Sequence, residues 1–449
     1  MIGLALLGFA QSQESVLYSF QGGTDGEWPV GRIVLDSSGN LYGATQAGGS
    51  LECWSGSCGV VYQLTPPGQP GGAWTESVLH VFLGYQFGDG NSPQGGLAID
   101  KAGNLYGSTE YGGSGNCTVL GEQTGCGTLY ELSPPTQKRD SWTETVLYNF
   151  QGGKDGFVPY GDLVFDQVGN LYGATLFGGG RGNNCGDAFY QYCGTIYELS
   201  PPKQRGAPWS EKVLYSFSGI AASALIGDGA NPNGGLAIDS SGNLYGSTQI
   251  GGFNCSHNEY HGCGTVFALS PPSGQNQNWS EAVLHRFLAD VTDGRNPWGG
   301  LTIDNHKNLY GTTLTWGPGS GGTVFRLSPQ SGSDLWKETL MYGFSSDENG
   351  YDPEGSVIFT AAGNLCGTTS VGNGNSRLGS VYCLYSSAES SSVSELVTLH
   401  GFSGPPDGAE PTSGLTLSPD GILFGTTFLG GTGSGCDYSS CGAVFEVAP

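Results

Sequence analysis

Basic residues are scarce in this chain: 15 Lys and Arg stand against 39 Asp and Glu in 449 residues, a net charge of −24. Nucleic-acid binding needs cationic side chains to displace condensed counterions, so that class of partner is excluded. An anionic membrane surface is disfavoured for the same reason. Long apolar runs are missing too. Nothing approaches the roughly 20 consecutive apolar residues of a membrane helix, which excludes helical membrane insertion. No apolar stripe at helical spacing runs beyond a few residues, so helices are not expected. The sequence also lacks a nucleophile elbow, a zincin helix and a phosphate-binding loop.

Glycine, in contrast, is abundant at 81 residues, and aromatics reach 11%. A hydrophobic fraction of 37% is enough for a packed core, built around tight turns. The phrase Gly-Asn-Leu-Tyr-Gly-Ala-Thr at 39–45 recurs with variations, its central Leu falling at Leu41, Leu105, Leu171, Leu244, Leu309, Leu365 and Leu423. A period of this length marks an array of supersecondary units. Each unit reads as four short strands, for which the second copy serves as example: 97–100, a turn Asp-x-x-Gly, 104–109, a Gly-rich loop, 127–132 and 142–150. The turn Gly supplies the left-handed residue of a tight hairpin. Small residues after Leu-Tyr suit inner strands, where units taper toward an axis.

Seven four-stranded units describe an all-β, seven-bladed β-propeller. Residues 14–20 match the fourth strand of a unit, and 442–447 match the third. Pairing them completes the last blade and closes the ring, removing two edges that would otherwise aggregate. A β-sandwich array and an open solenoid are the rival folds, and neither explains the offset ends. The propeller is expected over 14–449. Residues 1–13 form a residual signal-like segment: the apolar stretch MIGLALLGFA ends in small residues before Gln-Ser-Gln, but lacks a basic start.

Ten of the twelve cysteines fall into local pairs before the third strand: Cys53/Cys58, Cys117/Cys126, Cys185/Cys193, Cys255/Cys263 and Cys436/Cys441. They read as loop-closing disulfides of an oxidising compartment, secreted or periplasmic. Zinc is the competing reading, though it favours tighter spacing and a second pair brought alongside. Cys366 and Cys383 lie within strands of the sixth unit, as a cross-strand disulfide or as buried thiols.

The string Leu-Tyr-Gly-Thr/Ala/Ser-Thr, then Gly-Gly, then Gly-Thr-Val-Phe/Tyr-x-Leu resembles the tandem GloVer repeat of bacterial extracellular proteins, over essentially the whole chain. The resemblance implies a propeller-like array and secretion or surface display. It brings no established activity. Members carry varied C-terminal surface anchors, whereas this chain stops at Pro449, so a released protein is expected.

A second seven-fold pattern, Asp-Gly-x-x-Pro, begins at Asp25, Asp89, Asp155, Asp228, Asp293 and Asp407, with Asn349 in the sixth copy. By strand order these segments share a face with the Cys-paired loops. A ring of carboxylates there can bind Ca²⁺ or orient sugar hydroxyls. The scaffold reading is that each Asp caps its own turn while Pro fixes entry to the next strand. No other cofactor or metal is expected. Trp74, Trp142, Trp209, Trp279 and Trp336 keep the repeat register and belong to blade packing. Trp28, Trp54, Trp298 and Trp316 do not, and with Tyr111 and Tyr160 they are candidate binding residues. Phe87, Phe177, Tyr190, Tyr260 and Tyr438 occupy the same loops. Aromatic planes beside acids suit sugar rings, while the alternative is that they give the loops a small core. His80, His285 and His400 take the Tyr slot of the fourth strand as packing variants. His257, Glu259 and His261 sit in one Cys loop, with too few ligands for a metal site.

Together these features point to a non-enzymatic binding module for polysaccharide or a cell-surface component. Two alternatives stand beside it: a carbohydrate-active hydrolase or lyase using carboxylates on the same face, and a self-associating structural protein.

Overall fold

In a computed structural model the chain forms seven four-stranded antiparallel sheets arranged as blades of a propeller. The structure describes residues 14–449 apart from 51–57, 70, 120, 138–139, 180–192, 205, 220–226, 253–261, 275–277, 289–291, 331–335, 346–349, 373–377, 387–393 and 437–439. Blade 2 shows the pattern, with strands Gly90–Ile99, Leu105–Gly112, Thr128–Ser133 and Thr143–Asn149 in spatial order. Blades 1 and 3–6 span 27–81, 157–216, 237–286, 294–345 and 358–401. Blade 7 takes Thr416–Leu417, Leu423–Thr427 and Ala443–Val447, and its fourth strand is the N-terminal Glu14–Ser19. The closing pair runs antiparallel from Glu14 opposite Val447 to Ser19 opposite Ala443. Ring closure by the first strand is therefore observed.

The recurring phrase has two local causes. On one face, the hairpins of blades 1–5 are tied by the Asp at their start, with Thr360 and Ser418 in its place in blades 6 and 7. Asp36 Oδ1 accepts the Ser38 and Asn40 amides at 2.7 and 2.9 Å, and Oδ2 accepts Asn40 Nδ2 and the Tyr42 hydroxyl. The same four bonds recur at Asp100, Asp166, Asp239 and Asp304. The Gly after Leu-Tyr answers a different demand. A Cβ on Gly107 would lie 2.3 Å from the Tyr130 hydroxyl, because the third-strand aromatic covers that backbone. Tyr62, Tyr197, Phe267, Phe325, Tyr382 and Phe445 cover the matching glycines of the other blades.

Apolar burial lies between blades, with one cluster at each of the seven junctions. A Phe closing each fourth strand meets the third-strand aromatic of the next blade edge to face: Phe20–Tyr62, Phe82–Tyr130, Phe150–Tyr197, Phe217–Phe267, Phe287–Phe325, Phe344–Tyr382 and Phe402–Phe445, at 5.0–5.3 Å. Such pairs contribute about 0.5–1.5 kcal/mol each beyond area burial. The in-register Trp residues add a second contact, as in Trp142 on Tyr42 and Trp209 on Tyr106.

Cys117–Cys126 and Cys436–Cys441 are disulfides, and Cys58, Cys193 and Cys263 are also disulfide-bonded. Cys53, Cys185 and Cys255 lie outside the described residues, as does the signal-like segment. Cys366 and Cys383 face each other across the second and third strands of blade 6 and form a disulfide. Cys366 stands in the Tyr position of the phrase, and Thr360 replaces the Asp that such a Tyr would need. These disulfides fit folding outside the reducing cytosol. Among the described residues, no helix is long and apolar enough to cross a membrane.

Candidate functional site

The innermost strand of each blade is the first one, and it begins within the Asp-Gly-x-x-Pro segment, earlier than the alternation of apolar residues suggests. In blades 1, 2 and 3 it spans Glu27–Leu35, Gly90–Ile99 and Phe157–Phe165, interrupted by a register shift. The backbone causes are specific. The residue before each motif Pro is left-handed: Trp28, Ser92, Val158, Asn231, Asn296, Asp352 and Glu410 have φ between 53° and 58°. This conformation costs an L-residue about 1–2 kcal/mol. It turns the amide toward the preceding blade, where Val158 N–H donates to the Cys126 carbonyl at 3.0 Å and Asn231 N–H to Cys193 at 2.9 Å. Every blade makes this bond, including Trp28 to Cys441 across the closure. The Gly opening each third strand leaves room for the next blade's Pro: a Cβ on Gly127 would sit 2.4 Å from Pro159 Cδ.

Past the Pro, the strands converge so closely on the axis that a Cβ on Gly31 would fall 2.0 Å from the Gly95 carbonyl, and one on Gly95 2.2 Å from that of Gly161. The side chain between Pro and this Gly differs in every blade: Val30, Gln94, Tyr160, Asn233, Trp298, Glu354 and Thr412. All seven line a single axial cavity of about 480 Å³. Gln46, Ser370 and Phe428, from the ends of second strands, also line it. The scaffold is thus seven-fold and its lining is not.

Charge within the cavity is divided. Arg32 Nε lies 3.3 Å from Asp162 Oδ2, and Asp162 Oδ1 also accepts the Gly96 amide. Across the ring, blades 6 and 7 contribute Asp352, Glu354 and Glu410. Burial pushes Glu354 up to about 7, opposed by the Ser370 hydroxyl at 2.9 Å and reinforced by the Asp352 and Glu410 carboxylates. Burial likewise pushes Asp352 up to about 6. The cavity therefore offers aromatic planes, amides and a carboxyl that is half protonated near neutral pH.

Of the residues singled out from the sequence, Tyr160 and Trp298 line the cavity. Trp28 stacks on Phe428 at 5.5 Å and so backs the lining without entering it. Tyr111 lies opposite Asn91 and Trp316 opposite Gly294, near the ends of second strands. Phe157 and Phe177 pair with each other at 5.3 Å. Phe87 is exposed. Trp54, Tyr190, Tyr260, Tyr438, His257, Glu259, His261 and Asn349 lie outside the described residues.

The six motif Asp residues are not gathered into one site, and none lines the cavity. Each closes the turn that leads from one blade to the next. Asp25 Oδ2 accepts the Tyr18 hydroxyl and the Gln21 amide at 2.9 Å, and Asp155 repeats this with Tyr148 and Gln151. Asp228 accepts Tyr215 and Ser218, while Asp89, Asp293 and Asp407 meet His80, His285 and His400. Metal-capable groups among the described residues use these Asp singly: His80, Asp89 and Glu144; His285, Asp293 and Glu338; and Glu14, His400 and Asp407.

Arg32, Asp162, Asp352, Glu354, Ser370, Glu410 and Phe428 escaped the sequence reading. A signal for their neighbourhood was present, in the one position that varies between an unchanging Pro and a following small residue.

The Gloeobacter/Verrucomicrobia repeat family matches residues 7–189, 116–333 and 254–449. No curated protein matches the chain. Among solved structures, a Dyadobacter fermentans protein of unknown function aligns at 11% identity and TM-score 0.44, covering 98% of this chain and all of that one. A Xanthomonas campestris gluconolactonase aligns at 13% and 0.41, over 98% and 90% of the two chains. A putative glucose dehydrogenase of Thermus thermophilus aligns at 14% and 0.44, over 97% and 99%.

Proposed function

The chain belongs to the Gloeobacter/Verrucomicrobia repeat family, and on that footing we propose that it is a secreted, non-catalytic propeller that binds a saccharide in its axial cavity. The observation that carries this reading is the composition of the one variable ring: Tyr160 and Trp298 stand among Gln94, Asn233 and Thr412 around a space of about 480 Å³. Ring C–H faces stack on aromatic planes, and hydroxyls find amides and carboxylates beside them. The volume lies within the roughly 300–1,000 Å³ usual for small-molecule sites. The natural ligand is then a terminal or short segment of a polysaccharide or surface glycan. The disulfides support an extracytoplasmic location.

Affinity electrophoresis through polysaccharide gels, followed by calorimetry with oligosaccharides of the retained polymer, tests the reading. Trp298→Ala and Tyr160→Ala should each weaken binding at least ten-fold without lowering the melting temperature. Retention that both variants preserve would refute it. A second reading, a hydrolase or lyase, is favoured by one observation: Glu354, held near pH 7 beside Asp352, has the protonation range of a general acid. Product release from the retained polymer, abolished by Glu354→Gln, would select that reading.

A further inference from the structure

We propose that three of the seven blade junctions are binding sites for a zinc-like divalent cation, each made of one imidazole and two carboxylates drawn from adjacent blades. At the perimeter, six junctions of the described residues bring together a side chain from the outer strand of one blade, the motif Asp that follows it, and the next blade's outer strand. In four of the seven junctions the first side chain is Tyr, and three of these, Tyr18, Tyr148 and Tyr215, donate their hydroxyls to Asp25, Asp155 and Asp228 at 2.9, 3.0 and 2.7 Å. In three others it is His, and these junctions use half of the six histidines in the chain. Packing alone does not require the exchange, since His80, His285 and His400 keep the same edge-to-face contact with Phe82, Phe287 and Phe402 that Tyr18 makes with Phe20.

What the exchange adds is a metal donor. One ligand atom each from His80, Asp89 and Glu144 lie within 4.8 Å of one another, as do those of the other two groups. The His-to-Asp separations are 3.4, 3.3 and 3.1 Å, and Glu14 Oε2 is 3.9 Å from His400 Nε2. Donors bonded tetrahedrally at about 2.0–2.2 Å stand about 3.4 Å apart, so the His and Asp atoms already have the required spacing. In the first group His80 Nε2 stands 3.4 Å from Asp89 without a hydrogen bond, whereas His285 and His400 are bonded to Asp293 and Asp407. Glu144 Oε1 is buried without a partner, as the matching Glu oxygens are at the three Tyr–Asp junctions. Glu14 Oε1 is in the same state in the third group. An unpartnered carboxylate oxygen of this kind lowers stability, and a bound cation removes that cost.

The donor set selects the ion. A neutral imidazole with two carboxylates balances a 2+ charge and leaves a fourth position for water, as zinc accepts. Calcium demands six to eight oxygens, which this set cannot supply. Each cation would tie two blades together, and the Glu14 site would fasten the closing N-terminal strand to blade 6.

The test is titration of chelator-treated, disulfide-intact protein with zinc chloride by calorimetry, with melting temperatures recorded alongside. It is made in a His257→Ala/His261→Ala background, so that the Cys-loop histidines do not contribute. About three equivalents should bind, with a rise in melting temperature that EDTA reverses. His80→Tyr restores the residue used at other junctions and should remove one equivalent. The triple replacement with His285→Tyr and His400→Tyr should remove all, leaving the EDTA-treated melting temperature unchanged. Glu144→Gln, which keeps the shape of the junction, should also cost one equivalent. No saturable uptake, or uptake that survives the triple replacement, overturns the proposal.

Discussion

Replacing Glu76 by Gln should stabilise the protein at alkaline pH and leave it unchanged at acid pH. Glu76 sits on the outer strand of blade 1, facing Tyr18 and Asp25 at the junction that closes the ring. Burial, and then the Asp25 carboxylate, push it up to about 7 from an ordinary 4.5, and its Oε1 is buried without a partner. A group whose folded value is raised favours the native state in its protonated form. Its stabilisation is therefore complete below about pH 4.5 and is lost as pH rises through 7. A difference of this size corresponds to about 3 kcal/mol in a dry site. Water screens the partly exposed carboxyl, and about 1–2 kcal/mol remains. Gln keeps the shape and carries no charge at any pH. Over this many residues the gain amounts to about 1–2 °C in melting temperature at pH 8, and none at pH 4.5. Differential scanning calorimetry of both proteins across pH 4.5–8 reads it directly. A variant that is less stable at pH 8, or a difference that does not change with pH, would refute the reasoning. The same sign holds at Glu211 and Glu281, where burial and the Asp155 or Asp228 carboxylate act alike. Wild-type stability should accordingly peak on the acid side of neutrality. The lower limit is set by Asp36 and Asp304. Burial works against their charge, but bonds from Asn40 and Asn308 outweigh it and hold them below the usual carboxylate range.

Gly107→Ala should destabilise by about 1–3 kcal/mol through overpacking against Tyr130. In a double-mutant cycle, the loss should shrink when Tyr130 is truncated, which denaturant titration can check. Tyr62→Phe and Tyr382→Phe should be neutral or stabilising by about 1 kcal/mol, because both hydroxyls are buried without a partner. Phe already fills that position in blades 4, 5 and 7. Deleting residues 14–20 uncovers the edge of the strand Ala443–Val447 and removes Phe20 from the Tyr62 contact. Size-exclusion chromatography should then show self-association.

Architecture was the most legible part of the sequence, because one phrase recurs seven times and imposes the same local chemistry in five of the blades. Asp-x-x-Gly-Asn-Leu-Tyr carries its own hydrogen-bond set, and a strand offset at the termini announces closure. The innermost strand was harder to read. Its left-handed residues include Val158, a type that gives no hint of φ near +58°. The distortion comes from the amide bond to the preceding blade and from crowding at the axis, neither of which is local. The site was half legible for the same reason. Tyr160 and Trp298 stand out as aromatics that break the repeat, but Arg32 and Asp162 meet across 130 positions, and Glu354 meets Ser370 only once blade 6 folds. The carboxylates of Asp-Gly-x-x-Pro could be read by spacing either as a ligand-binding ring or as caps of their own turns. Folded, each is committed to its own junction.

The central claim is that the variable ring around the axis is a saccharide site. Calorimetry with oligosaccharides of a polymer that retards the wild-type protein tests it most directly, comparing wild type with a Tyr160→Ala/Trp298→Ala variant. The account predicts saturable binding of one oligosaccharide per chain, reduced at least a hundred-fold in the double variant at unchanged melting temperature. Equal affinity in the two proteins would contradict it.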